Sequence, residues 1–109
     1  MRQISAIIAP SRFDAVTDAL AALGVGGITA TQLLGHSLDE LDVEVYRGRV
    51  SGRNLVPRIR LDLVADDLDA DDLVRVIRSA AAPADGHIWV IPVDTLARVR
   101  TGERGVDAL

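Results

Sequence analysis

A strict alternation of apolar and charged side chains in the middle of the chain limits the folds that it can adopt. The stretch Pro57–Leu63 reads PRIRLDL, so isoleucine or leucine stands at every second position and arginine or aspartate stands between them. A period of two residues predicts a β-strand with one face in the core and the other outside it. We therefore expect a sheet with one covered face at the centre of the fold.

The segments around this strand predict two helices that cover the sheet. Apolar residues at helical spacing lie before Gly24, a residue suited to ending a helix. An acidic run near Asp66 begins a second helical segment, as the helix dipole favours. The predicted order is strand Gln3–Ala9, helix between Ser11 and Gly24, strand Ile28–Gly35, strand from Pro57, helix between Asp66 and Ala82, and strand His87–Val93. This β-α-β-β-α-β order indicates an α+β, ferredoxin-like fold.

We expect one domain over residues 1–109, because the length is close to the usual size of a single domain. Residues 94–109 are predicted to be a polar C-terminal tail. The second face of the sheet would carry Ile7, Leu33 and Trp89 or Ile91, among others. Because large exposed apolar patches mark interfaces, we expect self-association to cover this face.

The segment of residues 36–56, here called the arm, separates the second predicted strand from the third. It is longer than the roughly 12–15 residues beyond which a loop without structure becomes uncommon in a compact domain. Its first half is rich in acidic residues and its second half in arginine. Long charged loops on a rigid base commonly carry function, so we expect the arm to contact partners.

Composition excludes several classes of function. The net charge of −4 and an aromatic content of 3% argue against a nucleic-acid binder, which needs basic faces and stacking side chains. The apolar runs are too short to insert in a membrane, and no basic segment of the secretory kind precedes them. The chain has no cysteine, which excludes disulfides and leaves a cytoplasmic location as the expectation.

Four segments of the chain carry a resemblance to a known family. They are MRQISAIIAPSRFDAVTDALAALGVGGITATQLLG at the start, VEVYRGR at Val43–Arg49, VPRIRLDLV at Val56–Val64 and DGHIWVIPVDTLARVRTGE at Asp85–Glu103. In this order they resemble the P-II nitrogen-regulatory signalling proteins over essentially the whole chain, with a small deletion near residues 65–84. The last segment is the most specific, because the strand, the arginine pair and the Arg-Thr-Gly-Glu ending occur together.

The resemblance implies a homotrimer of ferredoxin-like subunits that binds ADP or ATP in three clefts between neighbours. On one subunit the nucleotide site would use Ile7, Gly35, Val64, Gly86 and His87, and the neighbour would contribute Thr29, Arg98 and Arg100. Arginine suits this role, since a guanidinium group can donate two hydrogen bonds to a phosphate at once.

The resemblance also implies that the arm is the family's T-loop, which docks on a protein target such as a transporter or a metabolic enzyme. The docking residues would be Tyr46, Arg47, Gly48, Arg49 and Ser51. Ser51 stands where family members carry a modified tyrosine, so uridylylation or adenylylation is excluded at this position. A solvated serine is the simpler interpretation of Ser51, with phosphorylation as the alternative.

The predicted phosphate loop departs from the family pattern. It lacks two residues, has Ala84 in place of a glycine, and carries His87 in place of a lysine. Because glycines let backbone amides approach phosphates closely, we expect nucleotide to bind more weakly than in other members. His87 is alternatively a polar residue at the start of a strand.

A second-ligand site is implied at Asp39 and Arg58, again with departures from the family. Asp39 replaces a glutamine and would repel a dicarboxylate, while Arg58 replaces a lysine. We therefore predict against 2-oxoglutarate sensing of the usual kind, and the sequence leaves Mg²⁺ binding open.

We expect a regulatory protein of nitrogen or carbon metabolism rather than an enzyme. His36 and His87 lack the spacing of metal ligands, and without cysteine no residue pattern indicates an activated nucleophile. The alternative is a degenerate P-II-like trimeric scaffold or sensor that has lost the usual ATP and 2-oxoglutarate binding. It would recognise a different small ligand or only a protein partner.

Overall fold

The computed structural model describes residues 1–36, 44–46, 49–51 and 55–109, without the side chains of the two short inner segments. The strands are β1 (Arg2–Ile8), β2 (Thr29–Gly35), β3 (Glu44–Tyr46), β4 (Arg49–Ser51), β5 (Val56–Ala65) and β6 (His87–Pro92). The helices are α1 (Phe13–Ala22) and α2 (Asp67–Ala81), with short 3-10 helices at Pro10–Arg12 and Gly105–Ala108.

The main sheet has four strands in the order β2-β5-β1-β6, and each neighbouring pair is antiparallel. Strands β1 and β2 are thus separated by β5, and β5 and β6 are separated by β1. This interleaving of two β-α-β units is the ferredoxin-like arrangement, so the predicted α+β fold class is confirmed.

The core lies between the helices and one face of the sheet. Every second residue of β1 points into it, and α1 contributes Val16 and Leu20. The buried cluster consists of Ile4, Ala6, Ile8, Val16, Leu20, Leu61, Leu63, Ala65, Ala70, Leu73 and Ile77. The alternation in β5 is confirmed, because Leu61 and Leu63 are buried whereas Arg60 and Asp62 lie on the opposite face.

The helix ends follow local sequence signals and one contact from a distant part of the chain. The Asp66 side chain accepts a hydrogen bond from the Leu68 backbone and so caps the start of α2. Gly24 follows α1 with a φ of 86°, a conformation that glycine adopts without strain. At the other end of α2, the Arg12 guanidinium donates to the Ala80 carbonyl.

The described part of the arm contains a two-stranded ribbon that the sequence analysis did not predict. Strands β3 and β4 pair antiparallel, with Val45 opposite Val50 and Tyr46 opposite Arg49. β-branched and aromatic residues favour paired strands, and this local preference accounts for the ribbon.

The C-terminal segment is folded rather than a simple polar tail. The Arg98 amide donates to the Glu103 carbonyl at 2.8 Å, and the Gly105 amide donates to the Leu96 carbonyl at 2.9 Å. These bonds close a turn that leads into the last 3-10 helix, where Ala108 is buried. The turn presents Arg98 and Arg100 as exposed side chains.

Candidate functional site

The sheet face opposite the helices, here called the open face, carries five of the predicted site residues, namely Ile7, Thr29, Arg58, Val64 and His87. Strand pairing arranges them in rows across the sheet. The rows are Val64–Gln3–Ile91, then Thr29–Asp62–Ser5–Trp89, then Thr31–Arg60–Ile7–His87, then Leu33–Arg58.

Three of the predicted nucleotide residues meet where β1 ends and β6 begins. Ile7 is paired with His87 across these two strands. Gly86 lies so close to the Ile7 carbonyl that the two backbones leave no room for a side chain. The structure therefore brings Ile7, Gly86 and His87 together, beside the exposed connection from α2.

A second group gathers around the start of β2 and the end of β5. Thr29 and Val64 line a cavity of about 420 Å³ together with Gln3 and Asp62. Val64 also lines a cavity of about 750 Å³ that includes Arg98. Neither cavity is lined by Ile7, Gly35, Gly86 or His87.

Two predicted nucleotide residues, Thr29 and Gly35, lie far apart at the two ends of β2. Thr29 is the first residue of this strand and Gly35 is the last. Six residue steps of about 3.3 Å separate them by roughly 20 Å. Gly35 lies beside the stem of Arg58, with its own backbone half-buried. Within one chain, Gly35 is thus distant from the Thr29 group.

A hydrogen-bonded cluster at the centre of the open face was missed by the sequence analysis. The Ser5 hydroxyl donates to Asp62 at 2.6 Å, and the Gln3 amide donates to the same carboxylate at 3.2 Å. Arg60 Nε lies 3.1–3.2 Å from both Asp62 oxygens, and its guanidinium stands 5.1 Å from the Trp89 ring centre. The alternation in Pro57–Leu63 places Arg60 and Asp62 on one face, but only the strand order brings Ser5 and Trp89 beside them.

Burial and hydrogen bonding act in opposite directions on the Asp62 carboxyl. Burial alone would raise its pKa, but the hydrogen bonds from Ser5, Arg60 and Gln3, with the Arg60 charge, lower the pKa below its ordinary value. Asp62 is therefore a carboxylate at neutral pH. It gives the cavity beside Thr29 a negatively charged hydrogen-bond acceptor.

The second-ligand and arm residues are described only in part. Arg58 is half-buried on the open face, and its Nη1 donates to the Pro57 carbonyl at 3.2 Å. Asp39, Arg47 and Gly48 lie outside the described residues. Of the other predicted docking residues, Tyr46 ends β3, while Arg49 and Ser51 are the first and last residues of β4.

Two features are absent from the described part of the chain. Among residues 1–36 and 55–109, no three histidine, aspartate or glutamate side chains are grouped in a way that could hold a metal ion. In the same ranges no helix has the length and apolar character needed to cross a bilayer.

Comparison with known proteins identifies the family. The model of the family "Nitrogen regulatory protein P-II" matches residues 1–103. The chain is 36% identical to the nitrogen regulatory protein P-II of Azospirillum brasilense and 37% identical to that of Rhizobium meliloti, in each case over the full length of both proteins. It is 37% identical to nitrogen regulatory protein P-II 2 of Methanothermobacter thermautotrophicus, covering all of this chain and 97% of that protein. The chain therefore belongs to the P-II family of nitrogen regulatory proteins.

Proposed function

We propose that this protein is a non-enzymatic signalling protein of the cytoplasm that senses ADP or ATP in clefts between the subunits of a homotrimer. In this proposal the arm acts on a protein target, a transporter or a metabolic enzyme of nitrogen or carbon metabolism. Membership of a family whose members are named nitrogen regulatory proteins supports the regulatory part.

One observation carries the proposal of a shared site. Thr29 and Gly35, both expected to contact the same nucleotide, lie at opposite ends of β2. Because about 20 Å separates them, one small ligand contacts both only if they come from different copies of the chain. Val64 lies beside Thr29 within one chain, and its assignment to either side of a cleft stays a prediction.

The charge distribution supports nucleotide over a purely apolar ligand. Arg98 and Arg100 are exposed on one turn, where their guanidinium groups are free to face phosphates. His87 is also exposed, and this proposal assigns it to the other side of the cleft. The imidazole ring of His87 can donate a hydrogen bond from a ring N–H to a phosphate oxygen.

Calorimetric titration with ADP and ATP tests the proposal. Hydrogen bonds to charged groups contribute about 1.5–3 kcal/mol, so Arg98→Ala and Arg100→Ala should each weaken binding by roughly ten- to a hundredfold. Arg75→Ala is the matched control, because among the described residues Arg75 forms its ion pair with Asp72 on the exposed side of α2.

The degenerate scaffold is the alternative outcome of this titration. It would be favoured if the wild-type protein gave no heat with millimolar nucleotide, or if the two site variants bound as the Arg75→Ala control does. The observation that favours this alternative is the predicted phosphate loop at residues 82–87, which is short and contains a single glycine. It predicts a trimer that binds its target without nucleotide.

A further inference from the structure

The connection from α2 to β6, residues 82–87, needs an external support if it is to hold Gly86 and His87 in place. Each of its residues is exposed. Its only glycine is Gly86, so it has little of the backbone freedom with which glycine-rich loops wrap around phosphates. A loop with so little backbone freedom binds phosphate well only if it already has the right conformation.

Arg12 binds the last turn of α2, which leads directly into this connection. Its Nε and Nη2 atoms donate to the Ala80 carbonyl at 3.1 and 2.8 Å, across 68 positions of sequence. Ala80 lies in the last turn of α2, where carbonyl groups lack a partner within the helix. A cation is also favoured near the C-terminal end of a helix, because the helix dipole is negative there.

The end of the connection is supported from the same part of the chain. The Gly86 backbone packs against the Ile7 carbonyl near the end of β1, and Arg12 lies in the 3-10 helix that follows β1. The stretch from Ile7 to Arg12 therefore contacts the last turn of α2, just before the connection, and also Gly86 near the connection's end. Both contacts are made within one chain, before any ligand or second copy is present.

We propose that Arg12 is a positioning residue for the nucleotide site and that it fixes the 82–87 connection before nucleotide binds. This inference rests on the proposed function, because Gly86 and His87 are site residues only if nucleotide binds there. If the connection is already ordered when the protein folds, nucleotide binding does not have to order it. Arg12 therefore increases the affinity without a direct contact to the nucleotide. Arg12 thereby compensates for the glycines that this connection lacks.

The test compares nucleotide affinity and loop order in three variants of the full-length protein. Arg12→Met removes the donors and keeps most of the side-chain volume, whereas Arg12→Lys keeps the charge and one donor. Arg75→Met is the control, because it removes an exposed arginine of α2 that pairs with Asp72. Amide order parameters of residues 84–87, measured by NMR without nucleotide, report the support directly.

We expect Arg12→Met to weaken ADP and ATP binding by roughly five- to tenfold and to lower the order parameters of residues 84–87. Arg12→Lys should recover part of both, and Arg75→Met should match the wild type. Equal affinity of Arg12→Met and wild type overturns the inference, as does an equal loss in Arg75→Met. If wild type itself fails to bind, the proposed function fails and the positioning role fails with it, whereas the order parameters still report whether Arg12 supports the connection.

Discussion

At the scale of single residues, Asp62 is the shared hydrogen-bond acceptor of the polar cluster on the open face. Its carboxylate accepts hydrogen bonds from three side chains, and one of them, Ser5, is completely buried. Removing one partner of a partly buried, hydrogen-bonded charge leaves the remaining groups with fewer hydrogen bonds, which can cost more than the lost bond itself contributed. The cluster thus stabilises the sheet face while keeping one acceptor at the cavity beside Thr29.

Replacing Asp62 by asparagine should lower the free energy of unfolding by about 1–2 kcal/mol at pH 7, because the charge that pairs with Arg60 is lost. The effect should depend on pH. The folded pKa of Asp62 lies below its ordinary value of 3.8. Its contribution is therefore fully present above that value and is lost as the pH falls through the lower folded value. Urea unfolding between pH 7 and pH 3, at fixed protein concentration, measures the difference.

The control for this experiment is Asp18→Asn on the exposed side of α1. It should leave the unfolding midpoint at pH 7 almost unchanged. A difference between wild type and Asp62→Asn that stays constant from pH 7 to pH 3 would show that the carboxylate charge is not its source.

Gly86 offers a second residue-scale prediction. A Cβ atom at this position would meet the Ile7 carbonyl, which is backbone and cannot rotate away. Gly86→Ala should therefore shift the start of β6 and destabilise the protein by about 1–3 kcal/mol. Gly26→Ala is the control, since nothing lies within 4 Å of a Cβ built there. Chemical unfolding of both variants would refute the prediction if their midpoints were equal.

At the scale of elements, local sequence predicts where helices and strands lie, whereas contacts between distant segments are not visible in it. Asp66 and Pro83 bracket α2 in the sequence, and the helix runs from Asp67 to Ala81. The Arg12–Ala80 contact could not be predicted, because it depends on how the 3-10 helix after β1 packs beside α2. The pairing of Ser5 with Trp89 could not be predicted for the same reason, because it depends on the order of the strands in the sheet.

The cap of α2 gives a prediction at this scale. Asp66→Ala removes the side chain that accepts from the Leu68 amide at 3.2 Å. It should lower the free energy of unfolding by about 1 kcal/mol, while Asp66→Ser, which can also cap, should cost less than half of this. Thermal unfolding followed by circular dichroism measures both. Equal losses in the two variants would mean that the cap is not the origin of the effect.

At the scale of the whole molecule, the open face is a mixture of apolar and polar side chains. Trp89 and Ile91 stand at its β6 edge, and Arg60 and Asp62 occupy its centre. The sequence predicts which residues share this face, since strand residues alternate. The sequence does not predict that the polar side chains of this face form hydrogen bonds with one another within one chain. Because they do, the apolar side chains of the face can pack against another copy of the chain.

Self-association through the open face is the last prediction. Wild type should have a mass of about three times the 11.6 kDa of one chain at micromolar concentration, as measured by light scattering. Ile91, 44% exposed in a single chain, should be desolvated in the trimer, so Ile91→Glu would bury a charge and yield monomers that retain their circular dichroism spectrum. Leu68→Glu, at a position 87% exposed on α2, should remain trimeric. A folded Ile91→Glu trimer would show that the subunits meet through another surface. A monomeric wild type would contradict the proposed nucleotide clefts, because these need residues from two subunits.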